Sequence, residues 1–211
     1  MPATTPRTTR QPTTVWAREH RVPTLGILLV VTLIAFEFMG VATALPTMVA
    51  DLHGGRLYAW PIAAFTAASA VGTVIGGRIC DRRGPAGPIV AGLVLFAAGL
   101  LVCGNAPVML VLLLGRVIQG AGAGMEIVAV YVLIAAVYPR RDRPAMSALT
   151  ASAWVVPSLA GPPVAGLVTQ EFGWRWVFLG LVPPALLSVL LVLPALRDLP
   201  APPASQVAGG R

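Results

Sequence analysis

Six long apolar blocks run through this sequence, and they leave few folds open to it. The blocks cover residues 24–49, 57–79, 87–105, 107–138, 145–169 and 176–195. About 20 apolar residues are enough for a helix to cross the roughly 30 Å hydrocarbon layer of a bilayer. Only 11% of the residues are charged, whereas a soluble domain carries about a quarter. Lipid offers no hydrogen-bond partner to backbone N–H and C=O groups, so each block must form its own backbone hydrogen bonds as a helix. The blocks therefore predict an all-α membrane protein with six transmembrane helices.

The arginines predict how these helices are oriented. All 15 basic residues are Arg, and twelve of them flank the blocks at one set of ends: Arg7, Arg10, Arg18, Arg21, Arg78, Arg82, Arg83, Arg140, Arg141, Arg143, Arg197 and Arg211. Only Arg56 and Arg175 flank the opposite ends, and Arg116 lies inside the fourth block. Because cytoplasmic loops carry the excess of basic residues, both termini are expected in the cytoplasm and the helices in the plasma membrane. This pattern explains the high pI without a nucleic-acid partner.

The chain divides into three parts. Residues 1–22 are rich in Thr, Pro and Arg, which predicts a disordered cytoplasmic tail. Residues 23–195 hold the six spans. Residues 196–211 contain several prolines and are predicted to be a flexible cytoplasmic tail or linker.

An internal repeat relates the two halves of the apolar region. An offset of 126 − 37 = 89 carries Glu37 to Glu126, and it also carries Gly26 to Gly115, Ala64 to Ala153, Ser69 to Ser158, Gly72 to Gly161, Gly77 to Gly166 and Gly84 to Gly173. Each copy holds three spans, so the second copy enters the membrane upside down. The sequence therefore predicts two inverted three-helix repeats, an arrangement typical of secondary transporters.

Two acidic residues and one arginine lie inside the spans, where charge is costly and is usually kept for a function. Glu37 lies near the centre of span 1, and a carboxyl group there could bind and release a proton. In span 4, Arg116, Gln119 and Glu126 share one helical face about 15 Å long, which must face a cavity or partner helices. The alternative is structural: Arg116 forms an ion pair that locks spans 1 and 4 together.

Four motifs resemble the major facilitator superfamily and its drug:proton antiporter branch. They are Gly77–Gly84 (GRICDRRG) after span 2, Leu114–Gly122 (LGRVIQGAG) in span 4, Ala160–Gly166 (AGPPVAG) in span 5 and Gly173–Phe178 (GWRWVF) at the start of span 6. This resemblance implies the N-terminal six-span half of that fold. The sequence departs from the family pattern at two places. Pro85-Ala86 stand after Gly84 where the family usually has basic residues, and Pro157 and Ala165 stand where it usually has glycines.

The resemblance also implies roles for individual residues. Arg116 would support proton coupling, within the proton or substrate pathway of Glu37, Arg116, Gln119 and Glu126 that the polar residues inside spans 1 and 4 predict. A gating loop would be formed by Gly77, Asp81, Arg82, Arg83 and Gly84. Gly161, Pro162 and Gly166 would bend span 5, because proline removes a backbone hydrogen bond.

The function expected from this reading is proton-coupled efflux of a small hydrophobic or drug-like molecule. The alternatives are uptake of a metabolite by the same fold, or a non-transporting half that binds or regulates a partner transporter. The sequence contains no P-loop, catalytic triad or metal-ligand spacing, so neither an enzyme nor a bound cofactor or metal is expected. The expected partners are lipid, protons, a small-molecule substrate and a second six-span half, either a second copy or another chain.

The orientation can be tested by cysteine labelling in sealed cells, after the native Cys80 and Cys103 have been replaced. Cysteines at positions 56 and 175 should react with a membrane-impermeant reagent added outside, because the arginine pattern places both outside. Cysteines at positions 82 and 141 should react only after lysis. Labelling at position 82 from outside would contradict the six-span topology.

Overall fold

The computed structural model describes residues 15–17 and 20–197, and in this part of the chain the regular structure is entirely helical. Eight α-helices follow one another: α1 Arg21–Asp51, α2 Trp60–Arg83, α3 Ala86–Gly104, α4 Met109–Val137, α5 Arg143–Ser152, α6 Val155–Glu171, α7 Arg175–Leu179 and α8 Val182–Arg197. A short 3₁₀ helix, Gly55–Leu57, precedes α2. The predicted tails lie almost wholly outside the described residues.

These helices form six segments that are long and apolar enough to cross a membrane. Spans 1, 3 and 4 are the single helices α1, α3 and α4, whereas span 2 is Gly55–Arg83, span 5 is Arg143–Glu171 and span 6 is Arg175–Leu193. The prediction of an all-α protein with six transmembrane helices is therefore confirmed. Span 5 consists of α5 and α6, and span 6 consists of α7 and most of α8.

Span 5 is interrupted at Ala153 and Trp154, before the prolines of its motif. Pro157 lies in the first turn of α6, where the missing N–H is tolerated because it would have no helical partner. Pro162 and Pro163 lie inside α6, which continues through them to Glu171. The helix break is thus earlier than the bend expected at Pro162, and that bend stays a prediction.

The helices pack in a pattern that exchanges elements between the two repeats. The second repeat's first helix, α4, packs most extensively against α2 and α3 of the first repeat. In turn α1, the first repeat's first helix, packs most extensively against α6 and α8 of the second. The two halves are therefore interleaved, and neither could form this core alone.

Individual contacts follow the same symmetry. A Cβ atom at Gly26 would lie 2.8 Å from Cγ2 of Val192, and one at Gly115 would meet Sγ of Cys103. The offset of 89 residues converts one pair into the other, since it carries Gly26 to Gly115 and Cys103 to Val192. Gly84 and Gly173 are also repeat counterparts, and their φ angles are 80° and 91°. The helix that follows each of them begins two residues later, at Ala86 and at Arg175.

Glycines allow α2 and α4 to approach backbone to backbone. A Cβ atom at Gly124 would overlap the carbonyl oxygen of Ser69, and one at Gly72 would overlap that of Ala121. Gly120 meets the carbonyl oxygen of Phe65 in the same way. In lipid the hydrophobic effect does little to hold helices together, so van der Waals contact at such crossings is an important part of their stability.

Gly124→Ala should therefore destabilise the protein, although alanine is the better helix former. The added methyl group meets backbone, which cannot move away easily, and overpacking of this kind costs about 1–3 kcal/mol. Thermal unfolding in detergent measures the change. Gly87→Ala is the control, because a Cβ atom there meets nothing within 4 Å. Equal midpoints for the two variants would contradict the close crossing.

Candidate functional site

A fully buried ion pair joins spans 1 and 4. Nη1 of Arg116 donates a hydrogen bond to Oε1 of Glu37, and both side chains are 0% exposed. The pair thus joins the first helix of one repeat to the first helix of the other. Because a charge in hydrocarbon is costly, each group gives the other the partner that makes burial tolerable.

Further contacts of Arg116 extend this pair to span 2. Its Nε donates to the backbone carbonyl of Pro61 at 3.1 Å, and its Nη1 also donates to Oε1 of Gln119 at 2.7 Å. Its guanidinium carbon lies 4.2 Å from the centre of the Phe65 ring, a distance at which the ring attracts a cation. The side chains of Glu37, Arg116 and Gln119 are called the charged cluster below.

The charged cluster keeps unused hydrogen-bonding capacity. Oε2 of Glu37, Nη2 of Arg116 and Nε2 of Gln119 are buried and have no partner among the described residues. One acceptor and two donors are therefore concentrated in one buried place, whereas buried polar atoms are normally paired. A water molecule, or a substrate carrying both a donor and an acceptor, would complete the cluster.

Glu126 lies on the same buried face of α4 but belongs to a different environment. Two glycines of α3 pack against the polar residues of this face. Gly99 lies against Gln119, and Gly92 lies against Glu126. Both glycines and both polar residues are seven positions apart. Glu126 is 1% exposed, and its Oε1 has no partner within the described chain. The structure therefore brings Glu37, Arg116 and Gln119 together and leaves Glu126 apart from them.

The residues of the predicted gating loop end span 2 and begin the turn after it. The side chains of Asp81, Arg82 and Arg83 are exposed and make no hydrogen bond or ion pair with described residues, and Gly77 and Gly84 are partly buried. In span 5, Gly161 is buried against Met39, while Pro162 and Gly166 are partly buried. The gating and bending roles of these residues stay predictions.

Sequence reasoning did not find several residues that shape the site. Phe65 and the Pro61 carbonyl hold Arg116, and Gly92 and Gly99 make room for the polar face of α4. The glycine pair had a signal, because its spacing of seven equals that of Gln119 and Glu126. The Pro61 contact had no such signal, because every residue has a backbone carbonyl and the sequence does not show which of them accepts a hydrogen bond.

A second polar cluster joins the ends of several spans on the side of the molecule opposite the predicted gating loop. Oδ2 of Asp51 accepts hydrogen bonds of 3.0 Å from both Nε1 of Trp174 and Nη1 of Arg175. Arg175 also donates to the Ala106 carbonyl at 3.2 Å and lies over the Trp174 ring. The end of span 1, the turn between spans 3 and 4 and the start of span 6 are thereby connected.

Comparison with known proteins identifies relatives along almost the whole chain. The family profile described as Major Facilitator Superfamily matches residues 27–211. The chain is 33% identical over 180 residues to an uncharacterized transporter of Schizosaccharomyces pombe, covering 85% of this chain and 31% of that protein. It is 32% identical over 169 residues to Multidrug resistance protein 3 of Bacillus subtilis, covering 80% and 33%. The chain thus spans about a third of the length of these curated relatives.

Solved structures show the same fold at low sequence identity. A D-xylose-proton symporter superposes with a TM-score of 0.74 at 18% identity, over 89% of this chain and 50% of that one. A peptide transporter in complex with alafosfalin superposes with a TM-score of 0.72 at 16% identity, over 83% and 38%. At these identities the likeness concerns the fold alone.

A double-mutant cycle should reveal strong coupling within the buried pair. Arg116→Met leaves the Glu37 carboxylate without its partner, and breaking a buried pair in this way costs about 3–5 kcal/mol. Adding Glu37→Gln removes the orphaned charge, so the double variant should recover part of the lost stability. Chemical unfolding in detergent measures each variant. Arg175→Met, which breaks a solvent-exposed pair with Asp51, should cost only about 0–1 kcal/mol. Strictly additive effects at Glu37 and Arg116 would contradict the pairing.

Proposed function

The chain belongs to the major facilitator superfamily, and on that premise we propose that its six spans are one half of a proton-coupled efflux transporter. The observation that carries the proposal is the charged cluster, in which a carboxyl group, a guanidinium and an amide are buried together with unsatisfied atoms. A purely structural pair would be expected to satisfy these atoms. An incomplete pair is suited to exchange one partner for another.

The coupling follows from competition for the Glu37 carboxylate. While it is ionised, Glu37 binds the Arg116 guanidinium, and this attraction holds spans 1 and 4 together. A proton on Glu37 cancels that attraction and leaves Arg116 to Gln119, the Pro61 carbonyl and the Phe65 ring. The proton and a substrate with a donor group then compete for the same oxygen atoms. Binding of one therefore favours release of the other, as exchange across a membrane requires.

Efflux of a hydrophobic or drug-like molecule is the direction that the relatives favour. One relative is named for multidrug resistance, and another, of Mycobacterium tuberculosis, is named a probable multidrug-efflux transporter and is 35% identical over 142 residues. Uptake of a metabolite is the second candidate, because the superposed symporter is named for xylose and protons. Competition for Glu37 supports exchange and therefore favours efflux, whereas uptake together with protons would require proton and substrate to be bound at the same time.

A second six-span unit is proposed as the partner that encloses the pathway. Spans 2 and 5 are the least buried of the six. Only 17% of the most apolar stretch of each is buried inside the protein, against 56% in spans 1 and 4. Their exposed faces carry large apolar side chains, among them Val71, Val74, Val156 and Leu159. The complementary unit is either a further part of a longer chain, a second copy or another protein. We place the assembly in the plasma membrane with its termini and gating loop in the cytoplasm.

Glu37→Gln should abolish proton coupling, because the amide keeps the shape of the carboxyl group but cannot exchange a proton. The amide oxygen can still accept a hydrogen bond from Arg116, so the protein should stay inserted and folded, although it should be less stable. The protein is reconstituted in vesicles that contain a trapped pH indicator, and a lipophilic cationic dye is added. Wild type should move protons in response to the dye, and Glu37→Gln should not.

Glu171→Gln is the matched control, since Glu171 lies exposed at the end of span 5 and should be dispensable. Retained proton movement in Glu37→Gln would refute the role of the cluster. The absence of proton movement in wild type that is shown to be assembled in pairs would favour the non-transporting alternative.

A further inference from the structure

The second carboxyl group buried within the spans, Glu126, has no counter-charge among the described residues, and the repeat explains why. The offset of 89 residues relates Glu126 to Glu37, Arg116 to Ile27 and Gln119 to Val30. Where one copy supplies a guanidinium and an amide, the other supplies two aliphatic side chains, which are 0% and 2% exposed. One glutamate of the repeat is therefore paired and its counterpart is not.

The contacts of Glu126 are consistent with this difference. Its Cγ lies only 2.7 Å from where a Gly92 Cβ atom would be, and the Gly122 carbonyl is 2.9 Å from the same point. The side chain is thus enclosed where α3 and α4 cross. No ion pair or hydrogen bond of its Oε1 is found among the described residues, and the nearest arginine on its own helix, Arg116, is engaged with Glu37. Helix α3 contains no charged residue, and its one titratable side chain, Cys103, lies against Gln119. The charged residues of α2, which also packs against α4, are exposed at its far end: Arg78, Asp81, Arg82 and Arg83.

We propose that Glu126 is a second proton-binding site, separate from the charged cluster, and that its carboxyl group is the neutral acid while spans 3 and 4 are packed as in this structure. The reason is the cost of the alternative. An ionised carboxylate with an unpaired oxygen, enclosed by apolar residues within the membrane, has neither solvent nor cation to stabilise it. Release of this proton would then require water or a cation to reach the crossing of α3 and α4.

This inference rests on the proposed function only for what the proton is used for. Within that function it gives the protein two proton sites of different character. At Glu37 the proton competes with Arg116 and with substrate, whereas at Glu126 it competes with nothing in the described structure. The second site would therefore stay loaded in this conformation and release its proton only when α3 and α4 separate.

Infrared spectroscopy of the purified protein tests the site without any transport measurement. A protonated carboxylic acid has a carbonyl stretch that is resolved from that of carboxylates and shifts in deuterium oxide. At neutral pH wild type should show this band, Glu37→Gln and Glu171→Gln should keep it, and Glu126→Gln should lose it. Glu126→Asp keeps the acid but moves it by one methylene group, so the band should persist at a shifted position.

Each result decides the proposal. A band that is unchanged in Glu126→Gln, or unshifted in Glu126→Asp, would overturn it, as would a wild type without the band. A wild type that shows the band but moves no protons in vesicles, although it is shown to be assembled in pairs, would refute the proposed function and leave the proton site standing. Proton-coupled transport by a protein that lacks the band would do the opposite.

Discussion

The buried ion pair between Glu37 and Arg116 links the two repeats. It connects the two helices, α1 and α4, that begin the two repeats, and these helices otherwise touch each other only sparsely while packing extensively against the opposite repeat. Because two opposite charges within a membrane are tolerated best as a pair, the pair favours an arrangement in which α1 and α4 lie side by side. Three groups of spans 2 and 4 bind the guanidinium as well: the Phe65 ring, the Gln119 side chain and the Pro61 carbonyl. The contact that joins the first helices of the two repeats therefore also forms the proposed site.

Much of the fold could be predicted because membrane insertion imposes simple rules. Six apolar blocks give six spans, and an odd number of spans in each repeat forces the second copy to be inverted. The face shared by Arg116, Gln119 and Glu126 also follows from helical periodicity. What periodicity cannot give is the partner of each residue along that face. Glu37 was expected to serve the same pathway as Glu126, yet the structure places Arg116 with the first and a glycine of α3 with the second.

The break in span 5 illustrates another limit. Proline marks a point where a helix loses a hydrogen bond, but whether the helix stops, bends or continues there depends on its neighbours. Here α6 continues through Pro162 and Pro163, and the interruption falls at Ala153 and Trp154. Glycines were similarly ambiguous. Gly124 and Gly72 allow two backbones to meet, whereas Gly87 meets nothing, and only the packed structure separates these cases.

Gly84 and Gly173 give the two hairpins of the repeat a common backbone turn, although the hairpins differ in charge. Asp81, Arg82 and Arg83 precede the first turn, while Gln170, Glu171 and Phe172 stand at the corresponding positions before the second. The geometry of each turn thus depends on a glycine, whereas the neighbouring charges predict the side of the membrane on which the turn lies. The backbone turn and the charges beside it are set by different residues and are therefore independent of one another. A duplicated unit of this kind needs only a few surface substitutions to change its orientation, and its interior can stay as it was.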